Sequence, residues 1–453
     1  MLRYRFRGSR RPELLHQTLA PRAERTAREL NLRLALNGDE HRTWFSCQQG
    51  LGSASDSLAA LTLLPAMRAG SPLELPEPVS PRLLSALPRI QDIYHAWDQD
   101  RFERVAVHAG KRRGQMTPAP GVGCLFSGGL DSFYTLLKHR EEITHLIFAD
   151  GYDIPLQDTA RRERAVNVAR TVADELGMNL IEVHTDLQLF TRDVGVMWQD
   201  YHGAALAAAA LLFQDRLGRV LIPASFSYAD LFPWGSHPIL DPLWSTEQTT
   251  IEHSGCEATR VEKAAYVSTF PVAMRNLRVC SEHHAEYNCG HCEKCFRTML
   301  NLRAAGASDR CETLPGELDP DSIANLSLEG ENARAFALEN LRALERLGTE
   351  PELACALETA LQNSFGGEHL RRQLDAARTE LLETRIRLRK GVLKHRERAG
   401  RFKSRADELE MDNERLKSHY SSRRYRLADL LANGALKMPG LKRLFRKQAA
   451  PSD

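Results

Sequence analysis

Two adjacent glycines constrain this chain more than any other feature. Ser127-Gly128-Gly129-Leu130-Asp131-Ser132 stands between an apolar run, Gly121 to Phe126, and a helical stretch from Phe133 to Arg140. That order reads as strand, tight turn and helix start. Glycine adopts backbone conformations closed to other residues and leaves no side chain in the way. Successive amide N–H groups can therefore close around an anion at the helix N-terminus. Ser127 and Ser132 add hydroxyl donors. Asp131 would repel a bare phosphate, but it suits a nucleotide whose Mg²⁺ bridges it to the phosphates directly or through water. No lysine follows the glycines, so this is not the GxxxxGK[ST] loop of the common NTPases.

The surrounding pattern is short apolar runs alternating with helices. GVGCLF, THLIFA, NLIEVH and RVLIPA are separated by a helix after Leu130, one near 159–176 and one near 203–216. This predicts an α/β domain, a doubly wound parallel sheet, over residues 119–315. In an open sheet of that kind the ligand lies at the carboxyl ends of the strands. The turns after Phe126, after Ala149 and after Ala224 then surround one crevice. Asp150, in the second of these turns, reads either as a nucleotide or metal contact or as a simple turn acid. Arg260 and Lys263, three apart on one helix face, read either as a clamp for phosphates or a substrate carboxylate, or as a solvated basic pair. His237, Asp241, Glu247 and His253 fall in a loop dense in polar and aromatic residues, but their spacing defines no triad and no metal pattern.

Nine cysteines is an odd number for a disulfide framework, and four of them crowd into one short stretch. Cys280, Cys289, Cys292 and Cys295 give C-x8-C-x2-C-x2-C, which brings four thiolates within reach of one tetrahedral Zn²⁺. Four reduced thiols, His284 or His291 in place of one cysteine, and an Fe–S cluster are the alternatives. A zinc with four protein ligands has no open position, so its expected role is to tie a loop against the crevice.

The SGGLDS loop resembles the PP-loop of the ATP pyrophosphatase superfamily, the adenine nucleotide alpha-hydrolase-like proteins of HUP-like fold. With CSEHHAEYNCGHCEKC downstream and Arg297 just after it, the segment from about 121 to 305 is similar to 7-cyano-7-deazaguanine synthase and its relatives. The resemblance implies ATP, Mg²⁺ and Zn²⁺ as cofactors. It also implies a loop that grips the β,γ-phosphates while a substrate oxygen attacks the α-phosphate, giving an adenylate and pyrophosphate before amine or ammonia displaces AMP. The expected nucleotide contacts are Ser127, Gly128, Gly129, Asp131, Ser132 and Asp150, and the expected catalytic residues are Asp131, Ser132, Arg260 and Lys263. The expected partners are a small-molecule carboxylate and an amine or ammonia acceptor. The runner-up reading is a tRNA-modifying enzyme. Thiolating members of the superfamily carry sulfur on catalytic cysteines, and Cys256 and Cys311 are the free ones near the core. A non-catalytic scaffold assembled through the tail is the third reading.

The flanks of that segment are less specific. Residues 1–118 read as an N-terminal α+β domain ending in a Pro/Gly-rich joint, and 316–367 as a helical subdomain closed by Gly366-Gly367. Residues 368–453 hold 23 Lys and Arg against 12 Asp and Glu, leaving the first 367 at −9. Leu374, Leu381, Leu388, His395, Phe402, Leu409 and Leu416 recur every seven residues, but half of the companion column is polar or small and Gly391 and Gly400 interrupt it, so the reading is a long basic helix or coiled coil that self-associates, with a solvated single helix as the alternative. Its basic end suits an anionic membrane surface, RNA or an acidic partner, whereas the acidic body argues against nucleic acid on the catalytic part. The longest apolar run, Ala204 to Phe213, is too short to span a bilayer. With no signal-peptide pattern at the start, the expected location is the cytoplasm.

Overall fold

Alternation in Glu29–Leu36 buries Leu30, Leu32, Leu34 and Leu36 and turns the residues between them outward, as period two requires of a half-buried strand. The structure is a computed structural model and describes residues 18–36, 39–114, 116–280, 287–364, 405–418 and 426. The chain divides into two units, 1–365 and 366–453.

In the first unit β1 (Arg22–Arg25), β2 (Glu29–Leu36) and β3 (Asp39–Ser46) form an antiparallel meander. Then come α1 (Ser55–Ala69), the short β4 (Leu73–Glu74), α2 (Pro81–Trp97) and β5 (Val107–His108), with β4 and β5 paired in parallel. The alternating part follows as β6 (Gly121–Leu125), α3 (Leu130–Lys138), β7 (His145–Asp150), α4 (Thr159–Leu176) and β8 (Asn179–Thr185). It continues with α5 (Leu187–Asp193), α6 (Trp198–Leu211), β9 (Leu217–Pro223) and β10 (Thr250–Ser254). Five helices complete the labelled elements: α7 (Arg260–Val267), α8 (Pro271–Asn276), α9 (Glu293–Ala304), α10 (Pro320–Ala324) and α11 (Gly330–Leu347). Residues 351–364 form a further helix.

The protein is thus mixed α/β around an eight-stranded sheet in the order β1-β2-β3-β8-β7-β6-β9-β10. The five strands from β8 to β10 are parallel, and β1–β3 extend the sheet antiparallel from β8. Residues assigned from sequence to an N-terminal domain therefore share the sheet of 119–315. Successive residues of the parallel strands feed different cores. Ile147 joins α1 and α6, while Leu146 and Phe148 join α3, α4, α7 and α9. A strand buried on both faces has no polar side, which explains why these segments read as unbroken apolar runs. A third apolar cluster packs Phe296 and Leu300 of α9 against α10, α11 and the 351–364 helix.

The connections through α3 and α4 pack on one face of the sheet, and the connection through α5 and α6 packs on the other. The chain therefore reverses its direction of travel between β6 and β9, and in open sheets it is at the carboxyl ends of the strands at such a reversal that ligands bind. The apolar run Ala204 to Phe213 is buried in α6 and after it. Among the described residues, no helix is long and apolar enough to cross a membrane. Of the heptad tail, only 405–418 and Arg426 are described. The 405–418 stretch is helical, with Leu409 and Leu416 exposed; the remaining heptad positions and the basic end lie outside the described residues.

Candidate functional site

Gly128 stands at φ +78°, in the left-handed region. A Cβ there would meet nothing nearer than Arg278 Cβ at 3.5 Å, so the requirement for glycine is conformational rather than steric. Gly129 then enters α3 as an extended N-cap with no side-chain cap, leaving first-turn N–H groups of the helix open. The serines brace the turn. Ser132 Oγ donates to Gly129 O at 2.9 Å, and Ser127 Oγ accepts the Gly129 N–H at 3.3 Å. The turn follows the end of β6, at the reversal between β6 and β9.

Asp131, in the first turn of α3, is gripped by two cations from α7. Arg260 forms a short ion pair with its Oδ2, and Lys263 Nζ lies 3.3 Å from its Oδ1. Lys263 is fully buried and also donates to Ala224 O at 2.7 Å, just beyond β9. Both cations lie against the loop because α7 starts with a capping box, Thr259 and Glu262, that fixes its first turn. The two residues are therefore not a solvated pair.

Arg278 holds the loop backbone from the other side. Its N–H donates to Gly128 O at 2.8 Å, and its guanidinium donates to Ser127 O at 3.0 Å and Asp153 Oδ2 at 2.7 Å. Arg297 of α9 lies 4.1 Å over the ring of Phe336, and Arg260 lies 5.0 Å over the same ring. Burial, together with the like charge of Arg260, pushes Arg297 down to about 10. The Nε atoms of Arg260, Arg278 and Arg297 are all buried without a hydrogen-bond partner. Arg260, Lys263, Arg278 and Arg297 together concentrate positive charge beside the start of α3, which favours an anion there. Beside them Phe226 stacks on Phe336, with centroids 4.8 Å apart and planes 7° apart.

The four cysteines meet as their spacing predicts. Their sulfurs lie within 4.8 Å of one another, with Cys280–Cys292 at 3.9 Å and Cys289–Cys295 at 3.8 Å. A tetrahedron with Zn–S bonds of about 2.3 Å has sulfurs about 3.8 Å apart, so the set fits zinc. Gly290 takes φ +79° in the knuckle, and the Cys292 N–H points at Cys289 Sγ at 3.2 Å. His291 is exposed and turned to Cys289 O, outside the ligand set; His284 lies outside the described residues. Only Val279 separates Cys280 from Arg278, so the knuckle anchors the arginine that holds the loop.

Other sequence candidates have different partners. Asp150 is buried, with its oxygens held by Arg162 and by His184 Nδ1 at 2.8 Å. Burial opposes its charge, but these two partners outweigh burial and keep the carboxyl below its ordinary range. Glu247 accepts from Ser80 Oγ and the Arg82 N–H at the start of α2. His237 packs edge-on against Trp97. His253 and Asp241, by contrast, pair at 2.7 Å. Arg278 and Phe336 escaped the sequence reading, since neither belongs to a spaced motif. Compared with family models, with curated proteins and with solved structures, the chain matches none.

Proposed function

We propose that this chain is an ATP-dependent adenylating enzyme of the PP-loop class, which activates a carboxylate and transfers the acyl group to ammonia or an amine. The observation that carries the reading is the uncapped start of α3 at the strand reversal, with Asp131 and the buried Arg260, Lys263, Arg278 and Arg297 around it. Such a place suits a polyphosphate, because open N–H groups and guanidiniums both favour spread negative charge.

In this reading the Gly128–Gly129 turn holds the terminal phosphates and Arg278 keeps its carbonyls turned away from them. A carboxylate oxygen attacks the α-phosphorus, an O–P bond forms, and the bond to pyrophosphate breaks. Lys263 and Arg260 then face the charge that develops on the leaving pyrophosphate. Mg²⁺, when bound, screens the phosphate charges, and Asp131 is the residue to hold it. Nitrogen next attacks the acyl carbon, the C–O bond breaks and AMP departs. The aromatic pair Phe226 and Phe336 suits a flat acid. Four thiolates fill the coordination of a zinc, which makes its role structural.

The test is AMP and pyrophosphate formation from Mg–ATP with 7-carboxy-7-deazaguanine and a panel of other carboxylic acids, with and without ammonia. Acid-dependent pyrophosphate release that Asp131→Ala abolishes is the expected result. A well-folded, zinc-loaded chain that neither binds ATP nor forms AMP with any acid would overturn the proposal.

A further inference from the structure

The helix over 405–418 carries an apolar column that nothing in its own unit covers. Leu409 and Leu416 stand seven residues apart on one face, 57% and 56% exposed. Counting three residues on from this column, through Phe402, gives Arg405, Asp412 and His419, all polar. Counting four on gives Ala406, Asn413 and Tyr420. The second set is the less charged, so the leucines take the d positions of a heptad, and Ala406 and Asn413 take the a positions. The polar residues beside this seam bond within the helix, Arg405 to Glu408 at 2.8 Å and Lys417 to Glu414 at 3.9 Å.

The flanks of the seam say what fits it. In this register Arg405 and Asp412 are g residues, and Glu410 and Lys417 are e residues. In a parallel pair of helices each g residue meets the e residue five positions further along the partner. Arg405 then faces the second copy's Glu410, and Asp412 faces its Lys417. Symmetry repeats both contacts, so every such flanking pair within 405–418 joins opposite charges. Asn413 fixes the alignment. In register it meets its own counterpart, and each amide both donates and accepts. A slip of one heptad sets it against Ala406 or Tyr420, and an antiparallel pairing sets it against the column of Leu409. The sequence continues that column towards the N-terminus through Phe402, His395, Leu388, Leu381 and Leu374, which lie outside the described residues.

We propose that the 405–418 helix pairs with the same helix of a second copy as a parallel, in-register, two-stranded coiled coil, and that the chain is a dimer through it. Leu409 and Leu416 are buried against their counterparts, and the single Asn413 layer selects register and strand number. The pairing does not rest on the adenylating reading.

The test is sedimentation equilibrium of the whole chain at micromolar concentration with no nucleotide present. The wild type should have the mass of two 51.0 kDa chains. Asp412→Lys opposes Lys417 with a like charge, and Lys417→Asp opposes Asp412 in the same way. Both positions are exposed, and each variant alone should weaken the dimer about tenfold in Kd. An equimolar mixture of the two should recover the wild-type affinity, because in the mixed pair both contacts again join opposite charges. Asn413→Cys should cross-link to its own counterpart under mild oxidation, with the linked peptides identified by mass spectrometry. A monomeric or trimeric wild type overturns the proposal. So does a dimer that neither charge variant weakens, or an introduced thiol that links only to other cysteines.

Discussion

Lys263 Nζ lies 3.3 Å from Asp131 Oδ1 while it donates to the carbonyl of Ala224, so one buried ammonium ties the first turn of α3 to the end of β9. These are the two strands of the reversal, since α3 follows β6 directly. Lys263→Met keeps the apolar stem and removes both contacts. Asp131 retains Arg260, so the loss in stability should be on the order of 1–3 kcal/mol, read from urea unfolding, with ATP binding lost in the protein that remains folded.

Gly128→Ala separates conformation from space. Its Cβ would have room, yet an L-residue at φ +78° is strained, by about 1–2 kcal/mol. Calorimetry should give weaker ATP binding with only a small fall in thermal midpoint, because the strain falls on the loop that meets the phosphates. Equal affinity in the alanine variant would mean that the loop does not contact the nucleotide.

Arg278→Ala should loosen the same loop from outside. Two charge-assisted bonds disappear, one to Ser127 O and one to Asp153. A loss of about 1.5–3 kcal/mol in ATP binding, roughly tenfold or more in Kd, is expected by titration. Asp153→Ala, which leaves the bond to Ser127 O, should cost less.

Elemental analysis should find about one zinc per chain, and Cys292→Ser should lower both the metal content and the thermal midpoint. Chelation should also weaken nucleotide binding, since Arg278 stands two residues from Cys280. Metal-free protein of undiminished stability would remove the structural role of the cluster.

The pairing of His253 makes stability depend on pH in a defined direction. Burial opposes the imidazolium, but the pairing with Asp241 outweighs it and raises the ring to about 9. The contribution is fully present below the unfolded value near 6.5 and is lost as pH rises through the folded one. Denaturation free energies measured between pH 6.5 and 9.5 should fall by on the order of 1–3 kcal/mol in the wild type. The slope should be shallower in His253→Asn.

Features that depend on residues close in sequence were legible before the fold. GVGCLF followed by SGGLDS is a strand, a turn and a helix start in succession, and three of the four cysteines fall within seven residues. The parallel strands announced themselves through apolar runs. Arg278, Phe336 and the union of His253 with Asp241 were not legible, because each depends on which elements the topology brings together. Asp150 shows the opposite failure. Its position at a strand end was read from sequence, but its partners Arg162 and His184, on α4 and β8, were not. The Pro/Gly-rich stretch near 118 looked like a division between domains, yet the leucines of β2 and the alanines of α6 enter one core on either side of it.

That shared core also sets an order of events in time. Thr43 of β3 donates to Asp186, a partner 143 residues further along the chain. On the ribosome the meander of β1–β3 is made early, with the apolar face of β2 complete, and it must wait for β8 before the sheet can include it. Until then its leucines are available to any other sticky surface, including a second nascent copy. Pairings of such long separation slow folding and lengthen exposure. The apolar face of β2 is therefore the part of this sheet that stays uncovered longest while the chain is being made.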